Sequence, residues 1–191
     1  VTRQPRSVPP EQRHIYMQVV EGLLQHGLRG RVSPRLRERL RLAGVDLDRP
    51  LLPLYPVPLW ARCLNIIIEE VHPGVPREEA FRRLARAHVE GYGATLLGRA
   101  VMSVMRMLGP KRVVQRLPET LRGTDNYTEA VLTERGPTSY ELRVNSVVDA
   151  PGYAEALFEA VLQVGGAQEP QVTKVREEDD GTVYALTWTE R

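Results

Sequence analysis

The stretch GATLLGRA, residues 93–100, decides the fold. It differs by two letters from G-x-x-x-x-G-K-[ST], the phosphate-binding loop that joins a buried strand to a helix in nucleotide-hydrolysing proteins. Read as that loop, it makes the chain an α/β nucleotide binder; read as helix, it makes the middle of the chain a helical layer. The loop needs a strand before it, glycines that turn N–H groups toward phosphates, a lysine for the terminal phosphates and a hydroxyl for magnesium. Here the preceding residues have helical periodicity, Thr95, Leu96 and Leu97 fill the loop positions, Arg99 stands in place of the lysine and Ala100 in place of the hydroxyl. As helix, Gly91, Ala94, Thr95 and Gly98 recur at spacings of three and four, and small residues in that pattern let another backbone come close. Glycine inside a helix costs about 1 kcal/mol against alanine, so close approach must offset the loss. The stretch is a packing seam.

The helical reading extends outward from this seam. From Pro76, PREEAFRRLARAHVEGYGATLLGRAVMSVMRML runs to Leu108 without an interior proline, and Gly109-Pro110 ends it. KRVVQRLPETLRG then gives a shorter helix with Val113, Val114 and Leu117 inward. Upstream, LWARCLNIIIEEV places Trp60, Cys63, Leu64, Ile67 and Val71 on one face, and HPG at 72–74 stops it. In SPRLRERLRLAG, Ser33 is the N-cap, Pro34 takes the first helical position and Gly44 ends the last turn. PEQRHIYMQVVEGLLQHGL predicts an N-terminal helix with Ile15, Val19, Leu23 and Leu24 inward. Between these last two and Trp60, the prolines of VDLDRPLLPLYPVP forbid regular helix, so the segment is expected as an extended strap pressed on the body.

Downstream of Asp125 the period changes from 3.6 to 2. YTEAVLTE and TSYELRV alternate around the turn RGP, which predicts a hairpin. APGYAEALFEAVLQVGG reads as a helix stopped by Gly165-Gly166. QVTKVREEDDGTVYALTWTE reads as strand, Asp-Asp-Gly turn and strand. The expected fold is α+β: an N-terminal helical layer followed by a β-β-α-β-β unit with an antiparallel sheet. Residues 1–58 carry the N-terminal helices and proline-rich strap, and 59–191 the helical and β-β-α-β-β core, expected as one continuous domain.

Composition narrows the function classes. With 191 residues and 42% hydrophobic content, the chain can bury a substantial core. Its longest apolar runs, such as CLNIII at 63–68, fall far short of the roughly 20 residues that span a bilayer, and nothing at the amino terminus resembles a signal peptide. One cysteine, Cys63, excludes an internal disulfide framework; a cytoplasmic protein without membrane insertion is expected. The net charge of +2 conceals an asymmetry: residues 1–50 hold ten Arg against five acids, whereas residues 126–191 hold five basic against twelve acidic side chains. Such polarity suits an acidic partner at the basic end or head-to-tail pairing of two copies.

Candidate chemistry is sparse. His14, His26, His72 and His88 have no spacing that places two on one helical face, so no metal site is expected. Cys63 lies on an apolar stripe, where a thiol is buried filler. The arginines of RGRVSPRLRERLRL spread around a helix instead of sharing one face, which argues against nucleic acid; Arg35 and Arg39 are the candidates for docking an acidic protein partner. Trp60, Tyr92, Thr95, Gly98, Met102, Met105 and Met107 gather around the glycine seam, and methionines with aromatic residues make adaptable linings for small apolar ligands.

The runs GVDLDRPLLPLYPVPLW, HPGVPREEAFRRLARAHVEGYGATLLGRAVMSVMRMLGPKRVVQRLPETLRGTDNY and YALTW resemble a family of uncharacterised paralogues expanded in myxobacteria, with G-Y-x-x-T-x-x-G-R, L-G-P-x-R and T-D-N-Y as its most specific phrases. The succession of helices, hairpin, helix and hairpin also resembles a ligand-binding superfamily of vinyl-reductase-type domains, vesicle-tethering subunits and haem-based nitric oxide sensors. The haem sensors carry Y-x-S-x-R beside an axial histidine; the nearest text here, Tyr140-Glu-Leu-Arg143, lacks the serine and is one position short, and no cofactor is expected. Residues and resemblance together give the expectation of a non-enzymatic regulatory or sensory module, dimeric, binding a small apolar ligand between helices and sheet. An adaptor docking an acidic protein through its basic N-terminal helix is the alternative.

Overall fold

A computed structural model describes residues 8–146 and 149–189. Among these residues, seven α-helices and two antiparallel sheets give an α+β fold. The chain enters through a short strand, β1 (His14–Tyr16), that pairs antiparallel with β2 (Leu54–Pro56) of the proline-rich strap. Tyr55 is buried there while its neighbours Leu54 and Pro56 face out, so the strap is held by one deep side chain and the ladder. Helix α1 (Met17–Glu21) follows directly and widens into a π-helical stretch, Gly22–Gly27. The α-helix expected from Pro10 therefore begins only at Met17: Pro10–Gln12 make a single 3-10 turn, and Ile15 is then fixed in the strand pair.

Local signals set α2 (Pro34–Ala43) as the sequence predicts. The Ser33 hydroxyl accepts the Leu36 N–H at 3.0 Å, Pro34 opens the helix, and Gly44 closes it in the left-handed region at φ 118°. Helix α3 (Val57–Val71) buries Trp60, Cys63, Leu64 and Ile67. Helix α4 (Arg77–Ala94) is the spine, touching α1, the π-helical stretch, α3, α5 and α7. Its N-terminal half, with Phe81 and Leu84, joins a core made with α1, α2 and α3; its C-terminal half, with Val89, joins a second core made with the later helices and the sheet.

The glycine-rich stretch is the crossing point, and it divides the run that the sequence reads as one helix to Leu108. Thr95 is extended (φ −68°, ψ 161°); its hydroxyl accepts the Gly98 N–H at 2.9 Å and donates to the Tyr92 carbonyl at 2.8 Å. The threonine thus caps a new helix, α5 (Leu96–Leu108), and ends the old one. A Cβ at Gly91 would lie 2.0 Å from the Gly22 carbonyl oxygen, and one at Gly98 would lie 1.7 Å from that of Tyr92. Backbone meets backbone at both places. Helix α6 (Pro110–Arg122) then buries Val113, Val114 and Leu117.

The second half is the expected β-β-α-β-β unit: β3 (Ala130–Gly136), β4 (Ser139–Val144), α7 (Tyr153–Val164), β5 (Gln168–Glu178) and β6 (Gly181–Thr189), in spatial order β3-β4-β6-β5 with every pair antiparallel. Strand β3 starts at Ala130 instead of Tyr127 because the T-D-N-Y phrase has another task. The Asp125 carboxylate accepts the N–H groups of Tyr127 and Thr128, while the Asn126 side chain accepts the His14 N–H at 2.9 Å and donates to the Gln12 carbonyl at 2.9 Å. This corner ties the entering strand to the start of the sheet. Helix α7 covers one sheet face with Phe158 and Leu162 against Tyr184, Leu186 and Val172.

Candidate functional site

Helices α1, α3, α4, α5, α6 and α7 line a partly open cavity of about 190 Å³. Trp60 comes from α3, His88 and Tyr92 from α4, Met102 and Met105 from α5, Leu117 from α6, and Tyr153 and Phe158 from α7. The helical spacing of α4 explains its share: Phe81, Leu84, His88 and Tyr92 follow one another at three or four residues along the inward face. The break at Thr95 turns α5 so that Met102 and Met105 return to the same space. A second cavity of about 210 Å³ adjoins the first, sharing Trp60, Leu121, Tyr153, Leu157 and Phe158 as a common wall. It reaches Lys174 and Glu177 on β5, whose half-exposed side chains pair at 3.1 Å.

His88 is the polar centre of the inner cavity. It is buried, with Nε2 2.8 Å from the Val19 carbonyl oxygen and Nδ1 hydrogen-bonded to the Tyr153 hydroxyl. A carbonyl only accepts, so Nε2 carries the proton and Nδ1 accepts from Tyr153. Burial pushes the His88 pKa down to about 4, the Val19 hydrogen bond opposing this in part, so the ring is neutral. The indole of Trp60 meets it edge-on, centroids 6.1 Å apart. Burial also raises the Tyr153 pKa, which keeps that hydroxyl a donor. The sequence singles out neither residue as a site: His88 is weighed there only as a metal ligand and set aside, and Tyr153 reads as part of a helix. The inward spacing of His88 with Phe81, Leu84 and Tyr92 was the available signal.

Of the sequence-derived pocket residues, Trp60, Tyr92, Met102 and Met105 come together around this cavity, whereas Thr95 and Gly98 do not line it. Both of those serve the α4–α5 junction. The cavity also lies among helices, with α7 between it and the sheet, rather than between helical layer and sheet. Met107, near the seam in sequence, points to solvent. Tyr140 and Arg143 lie elsewhere again: Tyr140 stacks on Trp188, and Arg143 pairs with Glu178 and Asp180.

On the basic helix α2, the docking candidates Arg35 and Arg39 stand in ion pairs with α3. Arg39 reaches Glu69 at 2.6 Å and Glu70 at 2.8 Å on α3, and Arg35 reaches Glu70 at 3.1 Å. The acidic pair Glu69–Glu70 thus offsets the charge of α2 from within the chain. Cys63 is buried on α3, and desolvation lifts its thiol to about 11, away from nucleophilic use. Among the described residues, no three His, Cys, Asp or Glu side chains converge as a metal site needs, and no described helix is long and apolar enough to cross a membrane.

The fold has clear relatives among solved structures. It is similar to an oxygen-binding H-NOX domain related to soluble guanylate cyclases, in its oxygen complex, with a TM-score of 0.63, 15% identity and coverage of 91% of this chain and 92% of that one. It is similar to a Cs H-NOX mutant carrying 4-cyano-L-phenylalanine, with a TM-score of 0.65, 16% identity and coverage of 90% and 95%. It is also similar to a structure from work on haem distortion in the H-NOX family, with a TM-score of 0.56, 17% identity and coverage of 90% and 94%. At such identities the likeness is one of fold. No curated protein sequence matches the chain. The family model for DUF2378, proteins of unknown function, matches residues 13–189, and the chain belongs to that family.

Proposed function

We propose that this protein is a non-enzymatic, ligand-binding sensory module whose inner cavity takes a small apolar molecule without haem. The observation that carries the proposal is the cavity itself, an apolar chamber walled by Trp60, Tyr92, Met102, Met105 and Phe158 with one neutral imidazole. It lies on a fold shared with an oxygen-binding H-NOX domain and with the H-NOX family in which haem distortion is studied. Apolar cavities of roughly 150 Å³ take up benzene-sized molecules, so about 190 Å³ suits one or two fused rings or a short branched chain.

Haem does not fit the residues present. The haem sensors use an axial histidine, and the one histidine in the cavity wall has both ring nitrogens engaged, by Val19 and Tyr153. The chamber also lies below the roughly 300 Å³ at which sites for larger ligands begin. The sensory response would arise at the α4–α5 junction, since Tyr92 lies on one and Met102 and Met105 on the other of the two helices that the Thr95 cap joins. Thermal unfolding with benzene, indole or naphthalene present tests the proposal. A rise in Tm that is saturable and is abolished by Val161→Phe, which fills the chamber, supports it. No shift with any of the three overturns it.

A further inference from the structure

A different part of the molecule carries unsatisfied polarity. Of the buried side-chain polar atoms that lack a hydrogen-bond partner among the described residues, two belong to one stacked pair: the Trp188 indole Nε1 and the Tyr140 hydroxyl. Their rings lie 5.7 Å apart and 7° from parallel, and the residues are 5% and 1% exposed. By strict geometry the Tyr140 hydroxyl makes no hydrogen bond, although Lys111 and Glu134 act on it through both charge and side-chain hydrogen bonding, so the Trp188 Nε1–H is the orphan donor of the pair. Buried donors are nearly always paired, so an orphan beside a recess points to a missing acceptor.

Trp188 lines a surface recess of about 360 Å³ together with Gly109, Pro110, Lys111, Arg112 and Gln115. These are the L-G-P-x-R phrase and the first turn of α6. No side chain caps that helix: Gly109 sits at φ 78° and Pro110, without an N–H, takes the first position. The N–H groups of Lys111 and Arg112 are therefore first-turn donors with no intrahelical acceptor, at the positive end of a 13-residue helix. Lys111 pairs with Glu134 at 2.9 Å, whereas Arg112 makes no ion pair among the described residues. No carboxylate lines the recess.

We infer that the first turn of α6, with Arg112 and the Trp188 indole, binds a small oxyanion such as phosphate or a phosphate monoester. The chain thus has its anion site at the Gly109-Pro110 turn, and not in the phosphate-loop-like stretch at 93–100. The inference is independent of the inner cavity.

Isothermal titration calorimetry of the full chain tests it with inorganic phosphate and with phenyl phosphate, each up to about 10 mM. One saturable site is expected. Arg112→Ala, an exposed substitution that leaves the core untouched, weakens it about tenfold, the effect of removing one charged hydrogen bond; Trp188→Phe, which keeps the ring stack and removes the N–H, weakens it severalfold. Tighter binding of phenyl phosphate identifies an organic phosphate as the natural occupant, and equal binding identifies the free anion. The inference falls if neither anion binds. It falls equally if Arg112→Ala leaves binding unchanged while Arg86→Ala, in the recess on the other side of Trp188, removes it.

Discussion

His88 Nε2 lies 2.8 Å from the carbonyl oxygen of Val19, joining the spine helix to the turn where α1 widens into π-helix. The imidazole is neutral in the folded chain, its pKa held at about 4, and ordinary, near 6.5, in the unfolded chain. A depressed folded-state pKa gives stability that is complete above pH 6.5 and is lost as pH falls toward 4. The full loss is about 3 kcal/mol, from a shift of roughly 2.5 units at 1.36 kcal/mol each. Urea unfolding at pH 7 and pH 4.5 shows this decline in the wild type and a flatter profile in His88→Gln, which is itself less stable at pH 7. The His72 pKa is also lowered, mainly by burial, so the decline does not vanish entirely in the variant.

The glycine seam gives opposite predictions for neighbouring residues. Gly91→Ala places a methyl group 2.0 Å from the Gly22 carbonyl and 2.3 Å from the Gly27 nitrogen. Backbone has no rotamer with which to yield, so the change destabilises by about 3 kcal/mol or more. At Gly93 the nearest atom to a new Cβ is the Met102 Cγ at 3.5 Å, an ordinary contact. Gly93→Ala therefore stabilises by up to about 1 kcal/mol through helix propensity. Paired urea titrations check both signs.

Much of this arrangement is legible in the sequence, and the misses have physical causes. Ser33, Pro34 and Gly44 announce α2 because caps act through the residues beside them. The change of period after Asp125 announces the sheet because alternation is a local property. The break at Thr95 is hidden: the threonine hydroxyl competes with the helix only where the Tyr92 carbonyl is free to receive it. The fate of Arg35 and Arg39 is likewise hidden, since Glu69 and Glu70 lie 30 to 35 residues away along the chain and adjoin them only when α2 packs on α3. His88 belongs to the same class, for its partners come from α1 and α7.

That packing makes Arg39 a structural residue. Arg39→Glu sets three carboxylates together with Glu69 and Glu70, and it lowers Tm clearly at low salt and less at high salt. Arg35→Glu has a smaller effect, because the Arg35 side chain is 79% exposed. Thermal unfolding at about 20 mM and about 500 mM sodium chloride measures the difference.

The T-D-N-Y corner supplies a prediction about local rather than global stability. Asn126 accepts from the His14 N–H and donates to the Gln12 carbonyl, while its own N–H donates to the His14 carbonyl at 3.1 Å. Tyr16 N–H donates to the Thr124 carbonyl at 3.0 Å beside it. Asn126→Ala removes the two side-chain bonds and keeps the backbone ones, so β1 loosens without losing its place. Hydrogen exchange at the His14 amide then rises by about tenfold or more, the loss of one hydrogen bond of order 1 kcal/mol plus freer opening of the strand. The amides of α7, which rest on the other core, keep their protection. Equal acceleration in α7 would mean that the corner holds the whole fold and not only its entry.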